Sequence, residues 1–261
     1  MQALAKTAYG RQILKSLMKL CEGLDINNLD NIHHFWQAML GNYMAMLGNY
    51  MVVAQYGGNP GPYQNVTLQT ICKMMNNDRK DVLTRMRDVN NFFMEFNREQ
   101  CVDIDYQAYL KYMENPHADR AWYWQTCTEF GYYQSSTSKT AGPWFGDNKK
   151  SSVPIKWLVK ECEQVFGSDY NSPDVYNAIT ATNSFYGGAS QFNATHVIFV
   201  NGNHDPWKSL SVLRAPNPLS PAYVIDGTAH CADMLASSSA DLPGLTAARK
   251  AIFATFAKWF P

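Results

Sequence analysis

The sequence predicts an α/β fold: a mostly parallel sheet joined to a helical insertion. Three observations carry that reading. Across residues 1–116, apolar side chains recur at helical spacing. Two short β-branched apolar runs, residues 196–200 and 222–225, then read as buried strands, each ending in a glycine-bearing turn, Asn201-Gly202 and Asp226-Gly227. A last amphipathic stretch, residues 246–260, closes the chain as a helix.

Taken in order, the first element is amphipathic, with Leu4, Ala8, Ile13, Leu14, Leu17 and Leu20 on one face. It lacks the uninterrupted apolar core of a secretory signal, which argues against Met1 as the true start. Residues 25–31 supply turn and capping side chains, and a long helix follows through Phe35, Trp36, Met39, Leu40, Tyr43, Met44 and Leu47. It contains a tandem copy, MLGNYMA at 39–45 and MLGNYMV at 46–52. Each copy is close to two helical turns, so the duplication rotates the apolar face by only about 20°. Two copies are too few for a coiled coil, so this is a local duplication within a helix.

The run QYGGNPGPYQN at 55–65 breaks that helix. Residues 67–76 and 79–96 resume it, the second with Val82, Met86, Val89, Phe93 and Phe96 on one face, read as core. Residues 106–113 form a further helix that Asn115-Pro116 ends. Composition shifts near 117–121, which divides the chain into a helical insertion, 1–120, and a body, 121–261. The loop 135–152 is rich in turn formers. Ser152 and Pro154 then open a helix holding Trp157, Leu158, Cys162 and Val165, which Gly167 closes, and Ser172-Pro173 opens another that runs to Gly187-Gly188.

Basic and acidic residues balance at 22 each, which points away from nucleic acid or an anionic membrane as partner. No apolar run approaches the ~18 residues of a membrane span. His33-His34 and His196 lack the spacing of a metal motif, so neither a metal nor another cofactor is expected. Six cysteines and two glycosylation sequons, at Asn65 and Asn193, point to the secretory pathway, for a secreted or lysosomal protein. Six cysteines allow several complete pairings, and spacing alone does not choose among them.

The chemistry lies in the loops after the two strand-like runs, because open parallel sheets place their sites at the strands' C-terminal ends. The first loop offers Asp205 and the second His230. An acid followed by a histidine is the back half of the Ser…Asp…His order of α/β-hydrolases. In it the imidazole is the general base, and the carboxylate holds its tautomer. Each residue also has a plainer reading, Asp205 as a turn residue before proline and His230 as a structural side chain.

The strings NGNHDPWKSLSV and GTAHCADM around these two residues closely resemble the prolyl carboxypeptidase and dipeptidyl-peptidase family of serine exopeptidases. WYWQTCTEFGYYQ, CEQVFG and TNSFYGG extend the resemblance, most closely to its thymus-specific serine protease-like branch. The resemblance covers essentially the whole chain but only the C-terminal portion of a family member. It implies the later part of an α/β-hydrolase domain with a helical insertion, and a peptide substrate cleaved near a terminus, beside proline. Asp205 and His230 match the family's triad acid and base. Trp207 falls where relatives line the pocket for the substrate proline. Cys21 would pair with Cys101 and Cys127 with Cys162, while the partner of Cys72 would lie upstream.

His204 departs from the family pattern and reads as incidental, and Cys231 reads as an inert buried thiol. The nucleophile is missing: no G-x-S-x-G occurs, and the nearest approach, at 187–191, lacks the second glycine. The family's serine elbow precedes its insertion, so the serine, an oxyanion donor and a signal peptide are expected upstream of Met1. The 261 residues alone are then expected to be inactive. The alternative is a non-catalytic secreted relative acting as a peptide-binding or interaction protein.

Overall fold

The computed structural model describes residues 2–23, 25–40, 50–138, 151 and 153–260. In chain order its helices are α1 (Gln2–Ala5), α2 (Ala8–Leu17), α3 (Leu29–Leu40), α4 (Met51–Tyr56), α5 (Leu68–Met75), α6 (Val82–Asn97), α7 (Tyr106–Met113), α8 (Ala118–Gln125), α9 (Ile155–Phe166), α10 (Ser172–Tyr186) and α11 (Pro243–Trp259). The strands are β1 (Phe199–Gly202) and β2 (Ala222–Ile225), so helix and parallel sheet are mixed as an α/β chain requires. Residues 41–49 of the tandem copy lie outside the described residues, which keep Met39 and Leu40 at the end of α3 and Tyr50, Met51 and Val52 after the gap, and most of the 135–152 loop lies outside them too.

The chain forms two compact units. The first, Met1–Asn49 with Met74–Phe185, is helical. The amphipathic stretch at its start is two helices, not one, because Thr7 caps α2 by accepting from the Gly10 amide at 3.0 Å. Leu20 leaves the helix to bridge Val102, beside the Cys21–Cys101 disulfide. Asp81 and Asp105 start α6 and α7 by accepting backbone N–H groups of the first turn, which a helix cannot satisfy itself. Val89 and Phe93 of α6 are buried as their spacing requires, whereas Val82, at the helix start, is exposed. A further helix appears where the sequence reading placed none: α8 continues into a π-helical turn, Thr126–Phe130, which carries Cys127 to its disulfide with Cys162 of α9. Met18, Phe35, Ile104, Tyr106, Met113, Tyr123 and Leu158 form this unit's core.

The second unit joins Tyr50–Lys73 to Tyr186–Pro261. β1 and β2 pair in parallel, Phe199 opposite Ala222 and Gly202 opposite Ile225. β1 thus starts three residues later than its apolar run and takes in Asn201 and Gly202, expected to be the turn. Ile225 packs with Ala232 and with Leu245 and Ala248 of α11. From α11 the buried Arg249 donates to the carbonyls of Ala232 at 2.8 Å, Asp233 at 3.1 Å and Leu235 at 2.7 Å, and pairs with Asp241. One guanidinium therefore fixes the loop that follows His230. Among the described residues no helix is long and apolar enough to cross a membrane.

Candidate active site

Asp205 and His230 stand at the C-terminal ends of β1 and β2, on loops that continue the pairing of the strands. The Asn203 amide donates to the Ile225 carbonyl at 3.0 Å and the His204 amide to the Thr228 carbonyl at 2.9 Å. The Asn203 side chain spans the two loops, accepting from the Gly227 amide at 2.8 Å and donating to Asp226. Gly202 lies tightly against the second loop. A Cβ there would meet the Ala229 carbonyl oxygen, and the Thr228 carbonyl oxygen at 2.5 Å, so glycine is required at the end of β1.

This scaffold brings the two candidate residues together: Asp205 Oδ2 lies 2.7 Å from His230 Nδ1. The other carboxylate oxygen accepts from the Trp207 amide at 2.8 Å and so caps the short 3₁₀ turn Pro206–Leu210. Asp205 is therefore both a cap and a partner of histidine, and the first role holds its carboxylate still for the second. It is buried, while the His230 side chain remains 27% exposed. Burial is the largest influence on His230 and disfavours its charged form. The Asp205 bond and the neighbouring Cys231 outweigh it, and the imidazole pKa is raised to about 9.

Aromatic rings flank the imidazole. The Trp207 centroid is 6.1 Å away, tilted by 40°, and Tyr56 meets the ring edge-on at 5.7 Å. Backbone contacts come from the same quarter as Tyr56. The His230 amide donates to the Gln55 carbonyl at 2.8 Å, and the Asn59 side chain bonds both the Ala229 amide and the His230 carbonyl. Sequence reasoning missed this contribution entirely, because it took 55–65 as a helix break. No local signal marks Asn59, which sits 171 residues from His230.

The remaining expected residues divide cleanly. His204 is exposed while Asp205 beside it is buried, so the two neighbours point apart. Cys231 is not buried as expected: it is exposed, its backbone left-handed at φ 55°, because the chain turns sharply out of the site there. Cys72 is also exposed. The structure joins Cys21 to Cys101 and Cys127 to Cys162, the pairs the resemblance implies. Asn65 and Asn193, the two sequon asparagines, are exposed. Among the described residues no group of three or more His, Cys, Asp or Glu side chains could hold a metal ion.

Known proteins resemble this chain along nearly its full length. The family model for serine carboxypeptidase S28 matches residues 1–252. The chain is 36% identical over 266 residues to K12H4.7 of Caenorhabditis elegans, named as a candidate serine protease, covering 98% of this chain and 50% of that protein. It is 30% identical over 217 residues to the thymus-specific serine protease of Mus musculus, covering 78% of this chain and 40% of the mouse protein. A protein of Arthroderma benhamiae named as an extracellular serine carboxypeptidase is 28% identical over 117 residues, 44% of this chain and 15% of its own. The chain spans about half the length of the first relatives it matches.

Proposed function

The chain belongs to the serine carboxypeptidase S28 family, and we propose that it is the C-terminal part of a serine exopeptidase whose triad acid is Asp205 and whose general base is His230. The observation that carries this is the 2.7 Å Asp205–His230 bond at the ends of adjacent parallel strands. With Nδ1 held by the carboxylate, Nε2 is the ring atom that takes the serine proton and returns it to the leaving amine. Asp205 fixes the tautomer and stabilises the imidazolium formed in that step.

In the family the serine elbow precedes the helical insertion, so by that resemblance the nucleophilic serine and the oxyanion donors lie upstream of Met1, in keeping with the lack of a G-x-S-x-G within the 261 residues. Those upstream strands complete an α/β-hydrolase sheet onto which β1 and β2 add, with residues 1–120 as the helical insertion. Alone, the chain has a base and nothing but water for it to activate, so it is inactive. A resting pKa of about 9 keeps His230 largely protonated at neutral pH, yet a base must start neutral. Completing the site excludes water, and burial is already the strongest influence lowering this pKa. The completed site therefore brings the imidazole towards its working range.

The substrate is a peptide trimmed near one terminus beside proline, with the Trp207 indole against the pyrrolidine ring. Two disulfides, exposed sequons at Asn65 and Asn193, and an extracellular carboxypeptidase among the relatives support passage through the secretory pathway to a secreted or lysosomal destination. A chain extended upstream to the length of its relatives tests the reading. Asp205→Asn and His230→Ala should each lower turnover of a proline-containing peptide by at least ~10²-fold. Near-normal turnover by either variant would reject its assignment.

A further inference from the structure

We propose that Asn59 is a positioning residue for His230, its side-chain amide standing in for the neighbouring strand that β2 lacks beyond its end. The inference rests on the reading of His230 as the general base. Asn59 lies in the glycine- and proline-rich turn after α4 and is 3% exposed. Its Oδ1 accepts from the Ala229 amide at 2.9 Å, and its Nδ2 donates to the His230 carbonyl at 2.7 Å. The Gln55 carbonyl completes the set by accepting from the His230 amide at 2.8 Å. These are the groups a paired strand would satisfy, and the loop-to-loop pairing described above stops at Thr228.

The need for such a clamp is local. Immediately after His230 the backbone turns left-handed at Cys231, and the Arg249 contacts begin only at Ala232. Between Thr228 and Ala232 the other main-chain hydrogen bond among the described residues, from the Met234 amide to the Cys231 carbonyl at 3.0 Å, stays within the loop, whereas a catalytic ring must be held within about 0.5 Å of its productive place. Burying two backbone polar groups without partners is also costly, so the Asn59 amide has no apolar substitute. Tyr56, one turn earlier on the same segment, adds its ring edge to the imidazole.

The test uses the chain itself with two variants, Asn59→Leu, which keeps the volume and removes both bonds, and Asn59→Gln, which keeps the amide. His230 is followed by NMR titration of its ring carbon, and folding by the thermal melt and the resonances of the other histidines. In folded Asn59→Leu, the proton affinity of His230 should fall tenfold or more as the Asp205 bond loosens, and Asn59→Gln should recover part of it. A merely structural role would lower the melting temperature and leave the His230 titration unchanged, which would overturn the proposal. Should the variants fail to fold, hydrogen exchange in the parent decides: the Ala229 and His230 amides should be protected like those of β2, and exchange at the rate of exposed loops would overturn the clamp. Retained turnover in an upstream-extended His230→Ala chain would instead sink the catalytic reading and leave these results untouched.

Discussion

Replacing Asp205 by asparagine separates the two jobs of its carboxylate. Asparagine keeps an oxygen to cap the Pro206–Leu210 turn, so the fold around Trp207 should survive. What changes is the group facing His230 Nδ1. An amide N–H there demands an acceptor, which reverses the ring tautomer, and the charge that favours imidazolium is gone. Burial, the largest influence on this ring, then acts with less opposition, and His230 should titrate at or below the ordinary histidine value of 6.5 instead of about 9. At pH 7.5 the protonated fraction would drop from roughly 97% to about 10% or less.

The same change appears in stability. A folded-state pKa above the unfolded value stabilises fully below pH 6.5, and that contribution disappears as pH rises through about 9. The full difference is about 3 kcal/mol, or on the order of 2 after allowance for the part-exposed ring. Parent and Asp205→Asn chains should therefore differ most near pH 6 and converge by pH 10. NMR titration of the imidazole, paired with urea melts across that range, measures both effects. A parent His230 titrating in the ordinary range, or the same midpoint in both chains, would refute the reasoning.

Other outcomes follow from the same contacts. Gly202→Ala should force the Thr228–Ala229 backbone away and break the Asp205–His230 bond, seen as a fall in His230 proton affinity; an unchanged titration would show that the loops yield without cost. Non-reducing peptide mapping should recover Cys21–Cys101 and Cys127–Cys162, and removing either should cost about 4 kcal/mol on the loop-entropy model, with free thiols at all four positions as the contrary result. His34 is buried and its pKa is lowered to about 4, chiefly by desolvation. Its folded value lies below the unfolded 6.5, so stability is full above pH 6.5 and falls as pH drops towards 4, by up to about 3 kcal/mol. His34→Phe should flatten that acid limb in a pH series of thermal melts, and an unchanged slope would exclude His34 as its source.

Much of this architecture is local and could be read from the chain. Apolar spacing marked the helices at 79–96 and 106–113; the second has those bounds, while the first starts later, at Val82, because Asp81 caps it there. The apolar run at 222–225 became β2 at those bounds, since each end is punctuated. β1 shifted because its end is set by tertiary contact: Gly202 looks like a turn residue in sequence but is needed where Thr228 and Ala229 approach. The π-helical turn at 126–130 went unread, since its position is tied to the Cys127–Cys162 bridge. At the site, Asp205 and His230 could be picked out because each follows a strand. Asn59 could not, because its partners lie 170 and 171 residues away. Cys231 was misjudged for a related reason, as burial beside a sharp left-handed turn depends on where the chain goes next.

The most direct test of the account is a fluorophosphonate probe applied to the 261 residues alone, to the upstream-extended chain, and to that extended chain carrying His230→Ala. The account predicts labelling of one upstream serine in the extended chain, with turnover of a proline-containing peptide. It predicts loss of both in the variant by at least ~10²-fold, and neither in the 261 residues alone. Stoichiometric labelling of a serine within the 261 residues, or full labelling and turnover without His230, would contradict it.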